Sequence, residues 1–475
     1  MQNAEKVIEF FKEICDIPHA SYDEKRIGDY LVDFAEKRGL SYRRDGIGNV
    51  LIKKPASIKG CNAPAVIIQG HMDMVYVRES DCPYTYEEGI KLIEEDGFLR
   101  ADGTSLGADD GIALAYGLAL LDSEDIAHPD LEVVFTVQEE VGLYGAEHFD
   151  CSDLKGKYLI NIDTEQEGVF FTSCAGAVRA DLVLPVERVR LENMRRLTVE
   201  LYGLAGGHSG MEIHLGRPNA IVIMMRLLLS MGGLANICSI ECDGKTNAIA
   251  DHCKALLYVS PEKADNIAAR LSKTVAEFNA EFEGVDEIKL RTTLGDVESA
   301  MCWTKDCHRS VLGALIMIPN GVIGMSGDIP GLVETSANPG ILVSEDNKVT
   351  VSFCIRSSVR DKKEFVLDKL ESVAAMSMGD LIRFSDYPQW EYRENSMLRD
   401  MAMDSYRELF GREPKASAIH AGLECGYFAE RITDVDIISI GPDQFDVHTT
   451  RERVSLDSLG RVWQLIQKLL ELLSR

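Results

Sequence analysis

Short apolar strands alternate with helical segments through the first third of the chain, and no other feature constrains the fold as strongly. The strands are rich in β-branched and aromatic residues, whereas the helical segments place apolar side chains at helical spacing. The predicted strands cover residues 49–52, 65–68, 131–137 and 157–162, and the predicted helices cover residues 1–15, 23–38 and 112–121. Such alternation is typical of an α/β fold with a mostly parallel sheet and helices on both faces.

Side chains that can bind a metal stand where these strands end. His71 and Asp73 follow the strand at residues 65–68, and residues two apart on an extended chain face the same side. Open α/β sheets bind ligands at the carboxyl ends of their strands, so we expect these side chains to meet there. The candidates are His71, Asp73, Asp109, Glu139, Glu140, Asp163 and, near the end of the sequence, His448.

Two histidines with several carboxylates form a donor set that suits zinc or a similar divalent metal. One zinc ion needs fewer carboxylates, whereas two ions that share a bridging carboxylate use them all. Glu139 and Glu140 are adjacent, so one can bind metal while the other acts as general base toward the attacking water. A surface loop with incidental polar residues is the alternative for any one segment, but it accounts poorly for the whole set.

The pattern changes in the middle of the chain. Residues 197–203 alternate apolar and polar side chains, which predicts a sheet with one solvated face. Strand and helix patterns then recur, which suggests two α+β halves, and the α/β pattern returns past Trp390. We therefore expect a catalytic domain at residues 1–188 and 389–475, interrupted by an inserted α+β lid domain at residues 189–388.

Charge and cysteine content exclude several classes of function. The formal net charge of -27 argues against nucleic acid or an anionic membrane as a partner. No basic segment followed by an apolar one opens the chain, and the 12 cysteines contain no CxxC pair, so we expect free thiols in a reducing cytoplasm. Residues 302–308 (Cys-Trp-Thr-Lys-Asp-Cys-His) contain zinc-ligand types but lack a second ligand pair, so a zinc site there is the weaker interpretation.

Five motifs of this chain resemble those of a known family. They are residues 69–73 (Gln-Gly-His-Met-Asp), 106–111 (Leu-Gly-Ala-Asp-Asp-Gly), 139–146 (Glu-Glu-Val-Gly-Leu-Tyr-Gly-Ala), 206–210 (Gly-Gly-His-Ser-Gly) and 419–426 (Ile-His-Ala-Gly-Leu-Glu-Cys-Gly). Together they are similar to the dinuclear-zinc aminopeptidase, carboxypeptidase and aminoacylase superfamily, over almost the whole chain. The last motif is similar to that of its aminoacyl-histidine (Xaa-His) dipeptidase branch, which is carnosinase-like.

The resemblance implies a role for each candidate at the strand ends. Asp109 would bridge two metal ions, and Glu139 would be the general base. Asp73 would orient His71. The peptide bond that follows the bridging aspartate is cis in the family, so we expect the same between Asp109 and Asp110. The ligands that complete the two ions would be His71 and Asp163 for one and Glu140 and His448 for the other.

The resemblance also assigns residues of the inserted domain and of the last motif. His208 would stabilise the oxyanion, although without the resemblance an incidental histidine in a Gly-rich turn is the better account of it. Relatives often read His-Ser-Pro at the last metal ligand, where this chain has residues 448–450 (His-Thr-Thr), so the local loop is left unassigned. The residues implied to bind substrate are Asn247, Arg356, His420 and Gly422.

The sequence therefore predicts a cytoplasmic metal-dependent dipeptidase that hydrolyses Xaa-His and related dipeptides through a metal-activated water. Two divalent ions per chain are implied, zinc first, with cobalt or manganese as alternatives. The expected partner is a small peptide substrate, not nucleic acid or a membrane, and a homodimer is compatible with the sequence. A tripeptide aminopeptidase or an N-acyl amino acid amidohydrolase is the enzymatic alternative. A non-catalytic metal-binding protein is the alternative of another class, although it would need no general base such as Glu139.

Overall fold

Contacts between residues divide the chain into two units. The structure is a computed structural model and describes residues 4–58 and 60–475. Unit 1 consists of Met1–Cys174, Trp390–Ala418 and Leu423–Arg475, and unit 2 consists of Ala175–Gln389 and Ile419–Gly422.

Unit 2 begins earlier than the lid domain expected at residues 189–388. The strand Gly176–Pro185 pairs antiparallel with the strand Lys348–Ser357, which places it in a sheet of unit 2. The short segment Ile419–Gly422 also belongs to unit 2, although it lies far from the rest in sequence. Sequence patterning does not reveal such distant pairings, so a boundary predicted from a change of pattern and the limits of a contact unit need not coincide. The division into three sequence ranges stays a prediction about independently folding domains.

The helices predicted at residues 23–38 and 112–121 are confirmed, although the second begins earlier, at Ala108. The helix predicted at residues 1–15 is confirmed from Glu5 onward, and residues 1–3 lie outside the described residues. Several helices have the polar residue before the first turn that satisfies free backbone N–H groups; Asn219, for example, accepts hydrogen bonds from the N–H groups of Ile221 and Val222. In the described part of the chain the α-helices are α1 Glu5–Cys15, α2 Lys25–Lys37, α3 Ala108–Asp122, α4 Tyr144–His148, α5 Ala220–Ser230, α6 Ala264–Glu281, α7 Lys305–Met317, α8 Arg360–Met376, α9 Met397–Phe410, α10 Cys425–Arg431 and α11 Leu456–Leu473.

Within residues 4–58 and 60–475 the strands form four sheets, two in each unit. In chain order they are β1 Ser41–Arg44, β2 Val50–Lys54, β3 Val66–His71, β4 Leu92–Glu95, β5 Phe98–Ala101, β6 Leu131–Thr136, β7 Tyr158–Asn161, β8 Val169–Cys174, β9 Gly176–Pro185, β10 Arg188–Tyr202, β11 Ala235–Glu241, β12 Cys253–Val259, β13 Lys289–Trp303, β14 Gly321–Met325, β15 Val333–Ser344, β16 Lys348–Ser357, β17 Asp380–Tyr387, β18 Lys415–Ile419, β19 Asp436–Ser439, β20 Gln444–Phe445 and β21 Arg453–Ser455.

The main sheet of unit 1 has eight strands in the order β1-β2-β6-β3-β7-β19-β8-β18. The four central strands, β6, β3, β7 and β19, are parallel to one another. Strand β2 pairs antiparallel with both β1 and β6, and β8 pairs antiparallel with β19. The predicted α/β fold is therefore confirmed, and its main sheet is mixed, with parallel pairs in the centre and antiparallel pairs on either side. The short turn between β1 and β2 is one reason, because a connection of that length joins only antiparallel strands.

Side-chain alternation along β3 shows that helices cover both faces of this sheet. A Cβ atom on Gly70 would lie 2.3 Å from the Cβ atom of Ala113, so α3 packs closely against that face. Gln69 points to the opposite face and donates a hydrogen bond to Glu424, directly before α10. Every residue of β3 is buried, and its first half, Val66–Ile68, is a continuous apolar run, as expected of a strand covered on both faces.

A second, small sheet of unit 1 supports the loop that carries His448. Its order is β20-β21-β5-β4, and all its pairs are antiparallel. Strands β4 and β5 form the hairpin that residues 96–97 (Asp-Gly) predict, which confirms that turn. Strands β20 and β21 flank the loop, so both ends of the loop are held by backbone pairing.

Unit 2 contains two antiparallel sheets with helices α5 to α8. One has the order β11-β12-β10-β13 and the other β14-β15-β16-β9-β17. Strands β10 and β13 pair from Arg188 with Trp303 to Tyr202 with Lys289. The outer part of this ladder is solvent-exposed and polar, so the sequence indicates only the inner, alternating part as a strand.

Helix α7 is the main helix that sequence patterning missed. It begins after Thr304, whose hydroxyl oxygen accepts a hydrogen bond from the N–H group of Cys307. The segment 302–308, considered above as a zinc site, spans this helix start. Within the described residues, no group of three metal donors is found there. Nor does any helix of residues 4–58 and 60–475 have the length and apolar character needed to cross a membrane.

Candidate active site

His71 is the last residue of β3, and its environment fixes which ring nitrogen is free. The ring is buried, and Nδ1 lies 2.9 Å from the backbone carbonyl oxygen of Asp73. A carbonyl oxygen only accepts, so Nδ1 carries a hydrogen, and in the neutral ring Nε2 is the nitrogen with the lone pair. Nε2 faces Asp109 Oδ1 at 3.0 Å. His71 is thus oriented as a ligand that binds through Nε2.

The carboxylate of Asp73 has a different main contact from the one that sequence reasoning assigns to it. Its Oδ1 lies 3.4 Å from His71 Nδ1, farther than its backbone oxygen. It accepts hydrogen bonds from the N–H groups of Glu139 and Glu140, at 2.8 and 3.2 Å. Ser21 Oγ donates a third, at 2.8 Å. Asp73 therefore also holds the turn that presents the adjacent glutamates, which explains how two neighbours can both face one site.

Asp109 lies between the two histidines of the cluster. Its Oδ1 faces His71 Nε2 at 3.0 Å, and its Oδ2 faces His448 Nε2 at 3.1 Å. The residue sits in a non-helical turn at the start of α3, and the bond from Asp109 to Asp110 is cis, as the resemblance predicts. A carboxylate whose two oxygens face two different imidazoles has the arrangement expected of a bridge between two cations.

Glu140 and Asp163 complete the cluster, each beside one histidine. Glu140 Oε1 lies 2.6 Å from His448 Nε2, and Asp163 Oδ1 lies 3.8 Å from His71 Nε2. These neighbours match the two ligand sets that the resemblance implies. The structure therefore brings together all the metal ligands predicted from sequence, from β3, the start of α3, the ends of β6 and β7, and the loop after β20.

Asp110 is a member of the cluster that sequence reasoning missed. Donor atoms of His71, Asp110 and Asp163 lie within 4.8 Å of one another, as do those of His71, Asp109 and Glu140. Asp110 Oδ2 accepts a hydrogen bond from the N–H group of His71 at 3.1 Å, and Oδ1 has no hydrogen-bond partner among the described residues. The adjacent pair of aspartates in residues 106–111 is the only signal of it in the sequence.

The electrostatics of the cluster show a deficit of positive charge. Hydrogen bonds that the His448 ring donates to Asp109 and Glu140 raise the pKa of His448 to about 10. Burial lowers the pKa of His71, but hydrogen bonds with Asp109 and Asp73 outweigh it and raise that pKa well above its usual range. Burial raises the pKa values of three carboxyl groups, those of Asp110, Glu139 and Asp163. Neighbouring carboxylates raise these pKa values further.

This donor set fits divalent cations. Imidazole nitrogens and carboxylate oxygens are the ligands that zinc accepts, and the orphaned Asp110 oxygen shows that the carboxylates exceed the hydrogen-bond donors available. Cations would relieve the repulsion that now raises the carboxyl pKa values. The residues present can therefore hold metal ions.

Unit 2 has a separate polar cluster around His208. The His208 Nδ1 atom accepts hydrogen bonds from the N–H groups of Gly210 and Met211, at 3.2 and 3.0 Å. Nε2 therefore carries the hydrogen and can donate it to an anion. Burial, with the nearby charge of Arg356, lowers the pKa of His208, so the ring is neutral.

Arg356 and His420 belong to the same cluster. Arg356 is only 6% exposed, its Nη1 donates to the Tyr387 hydroxyl at 2.8 Å, and its Nε has no partner among the described residues. His420 Nε2 lies 2.7 Å from Ser336 Oγ. Burial and the Arg356 charge lower the pKa of His420 to about 3. A buried guanidinium with an unused Nε–H donor beside two imidazoles of lowered pKa offers the kind of environment in which an anion can bind.

Asn247 and Gly422 lie at the margins of this cluster. The backbone carbonyl oxygen of Asn247 accepts a hydrogen bond from the N–H group of Ser209 at 2.9 Å, next to His208. A Cβ atom on Gly422 would lie 2.7 Å from the Tyr387 ring, so glycine is required for this close approach. Unit 2 thus brings together the residues that the resemblance assigns to it, and it adds Ser336 and Tyr387, which had no signal in the sequence.

The fold and the cluster define a class before any comparison. An α/β sheet that gathers two imidazoles and several carboxylates at its strand ends belongs to a metal-dependent hydrolase. Residues 67–472 match the model of peptidase family M20/M25/M40. The chain belongs to this family and is a hydrolase that acts on peptide bonds.

Individual relatives extend the likeness over the whole chain. The chain is 34% identical over 471 residues to the cytosol non-specific dipeptidase of Escherichia coli K12, covering 98% of this chain and 96% of that protein. The crystal structure of an aminoacylhistidine dipeptidase from Vibrio alginolyticus matches with a TM-score of 0.92 and 33% identity, over 99% of this chain and 97% of that one. The aminopeptidase PepT from Bacillus cereus, with a TM-score of 0.58 and 18% identity over 100% of this chain and 99% of that one, shares the fold.

Proposed function

We propose that this chain is a metal-dependent dipeptidase that hydrolyses Xaa-His and related dipeptides, with two zinc ions per chain. One observation carries the proposal: the two oxygens of Asp109 face His71 at 3.0 Å and His448 at 3.1 Å. The substrate class is supported by the names of two relatives that match over nearly the whole chain, a non-specific dipeptidase and an aminoacylhistidine dipeptidase.

The metal ligands divide into two sets that share Asp109. His71 and Asp163 would hold one ion, and Glu140 and His448 would hold the other. Bound there, divalent ions would polarise the scissile carbonyl and lower the pKa of an attacking water. Zinc suits this mixture of imidazole and carboxylate, with cobalt or manganese as alternatives.

Glu139 is proposed as the general base. Its N–H group donates to Asp73 at 2.8 Å, which fixes the backbone from which its side chain extends. Burial, with the neighbouring negative charges of Glu140 and Glu424, raises the pKa of Glu139. A carboxylate with a raised pKa takes a proton from water more readily and can deliver it to the leaving amine.

The cluster of unit 2 is proposed to bind the polar groups of the substrate. His208 has a free Nε2–H donor, as an oxyanion-stabilising group requires. Arg356 has an unused Nε–H donor and a full positive charge, which suits a substrate carboxylate. Asn247, His420 and Gly422 would complete the contacts with the substrate. A dipeptide carries a free carboxylate one residue from the scissile bond, so a site that requires this group would favour short peptides.

A cytoplasmic location completes the proposal. It is supported by the cytosolic relative and by the absence of CxxC pairs among the 12 cysteines.

A substrate panel tests the proposal directly. The metal-loaded chain is assayed with Xaa-His dipeptides, other dipeptides, tripeptides and N-acetyl amino acids, with the Glu139→Gln variant as a blank. We expect the highest kcat/KM for Xaa-His dipeptides, with release of free histidine. A preference for tripeptides or N-acetyl amino acids would replace the proposed substrate class. Binding of metal with no turnover of any compound would instead indicate a non-catalytic metal-binding protein.

A further inference from the structure

Glu452 makes an unusual set of contacts at the start of α3. Its carboxylate accepts hydrogen bonds from four successive backbone N–H groups. Oε2 accepts from Leu106 and Gly107 at 2.8 and 3.0 Å, and Oε1 accepts from Ala108 and Asp109 at 2.8 and 3.4 Å. These residues form the turn that presents the side chain of Asp109. One carboxylate therefore determines the backbone path of this turn.

The burial of Glu452 shows how much the turn depends on it. The residue is 2% exposed, and burying a carboxylate is costly unless its oxygens are hydrogen-bonded. Here the compensating donors are the free N–H groups at the beginning of a helix, where the helix dipole also favours a negative charge. The N–H groups of residues 106–109 thus provide the hydrogen bonds that the buried carboxylate needs, and the carboxylate provides the acceptor that these N–H groups need.

Glu452 is itself held firmly. It directly precedes β21, whose residues pair with β5 from Arg453 with Arg100 to Ser455 with Phe98. Its own N–H group donates to the carbonyl oxygen of Thr449 at 3.2 Å, within the loop that carries His448. The loop thus meets Asp109 twice: His448 faces its side chain, and Glu452 binds its backbone.

We propose that Glu452 is a positioning residue for the metal centre. By fixing the turn at residues 106–109 relative to the His448 loop, it holds Asp109 where its two oxygens face both histidines. The inference rests on the proposed metal centre. A carboxylate is needed because both oxygens accept from two N–H groups each, and replacing one oxygen by an amide NH₂ would set donor against donor.

The experiment compares Glu452→Gln with a matched control, Glu132→Gln. Glu132 is also buried, at 3% exposure, and also accepts two backbone N–H groups, from Lys155 and Gly156 at 2.8 and 2.9 Å, but at the opposite end of β6. Metal affinity is measured by titration of metal-free protein, and Mn²⁺ electron paramagnetic resonance reports magnetic coupling between two bridged ions. We expect Glu452→Gln to weaken binding about 10–100-fold and to lose the coupling. Glu132→Gln should keep both.

The outcomes separate this inference from the proposed function. If the unaltered chain binds fewer than two ions, the two-metal proposal fails, and the positioning role that rests on it is overturned as well. If the unaltered chain binds two coupled ions and Glu452→Gln binds them equally well, the positioning role is wrong. Circular dichroism checks folding, and Glu452→Asp, which keeps the charge but shortens the reach, serves as a second variant. If both Glu452 variants unfold while Glu132→Gln folds, Glu452 supports the whole unit, and the specific role is overturned.

Discussion

The two polar clusters of this protein place histidine in opposite electrostatic settings. In unit 1, carboxylates surround the imidazoles, and hydrogen bonds to them raise the pKa of His448 to about 10. In unit 2, burial and the guanidinium of Arg356 lower the pKa of His420 to about 3. The same side chain is thus driven toward its charged form in one unit and toward its neutral form in the other.

The contrast indicates which kind of ligand each cluster can bind. An excess of buried carboxylates is relieved by cations, whereas a buried guanidinium with an unused N–H donor is relieved by an anion. Under the proposed function, metal ions would bind to the first cluster, and a peptide carboxylate or a developing oxyanion would bind to the second. The difference between the clusters therefore suggests a division of labour, in which unit 1 activates and unit 2 recognises.

The largest expected effect comes from the adjacent glutamates of unit 1. Glu139→Gln should lower kcat by about 10²–10⁴-fold or more while metal content is unchanged, because only the general base is lost. Glu140→Gln should instead weaken metal binding, because it faces His448 at 2.6 Å. Steady-state kinetics with elemental analysis of the same samples distinguishes the two. An exchange of these effects would reverse the assignment of base and ligand.

His208→Ala should have the next largest effect. It alters the cluster of unit 2 and should leave the binding of metal by unit 1 unchanged. We expect kcat to fall about 10²–10³-fold, the scale for one lost oxyanion donor, with metal content unaltered. His214→Ala is the control, because His214 is an exposed histidine of the same unit. Loss of metal from the His208 variant would place this histidine in the cation site and erase the contrast between the clusters.

Arg356→Ala should impair recognition rather than chemistry. Losing a charged hydrogen-bond donor should lower kcat/KM about 10–100-fold, mainly through KM. Amidation of the substrate's C-terminus should lower kcat/KM of the unaltered enzyme by a similar factor. It should lower kcat/KM of the variant by little, and a double-mutant cycle measures this difference. Arg383→Ala, at a partly exposed arginine of β17 paired with Glu364 and Glu371, is the control. Additive losses would show that Arg356 does not meet the carboxylate.

The smallest expected effect is a pH dependence of stability in unit 2. The folded pKa of His420 is lowered from 6.5 to about 3, so the unfolded chain binds the proton more tightly. Its contribution to stability is therefore present above pH 6.5 and is lost as the pH falls toward 3, by up to about 1.4 kcal/mol per pH unit. Hydrogen exchange of β15 and β16 amides between pH 7 and 4.5 measures it. His420→Gln should flatten this dependence, and an unchanged slope would contradict the assignment.

Most of unit 1 could be predicted from sequence, because its signals are local. A buried strand such as β3 begins with a continuous apolar run, and the polar residues that come after this run lie at the carboxyl end of the strand. The antiparallel edges of the sheet were missed, since the direction of pairing is decided by connections and not by composition. The candidate metal ligands could be proposed from sequence because each of them follows a recognisable strand or motif.

The residues that sequence reasoning missed act through contacts between distant segments. Glu452 lies more than three hundred positions from the turn it binds, and it stands between two arginines that suggest a solvated loop. Asp110 is adjacent to a predicted ligand, but only the backbone path of the turn brings it to His71. Ser336 and Tyr387 are ordinary strand residues until the fold places them beside His420 and Arg356. No local pattern carries such information.

The missing side chain of Gly70 has a consequence for how variation in this protein should be interpreted. The space a Cβ atom would fill is already taken by Asp110 Oδ2, at 2.6 Å, and by Ala113 Cβ, at 2.3 Å. Any larger residue would push α3, with Asp109 and Asp110, away from the strand that carries His71. In a deep mutational scan, position 70 should therefore be as intolerant as a ligand, although it has no atom to bind with. Intolerance at this position would reflect the close packing of α3 against β3. It should not be interpreted as evidence that residue 70 takes part in binding or catalysis.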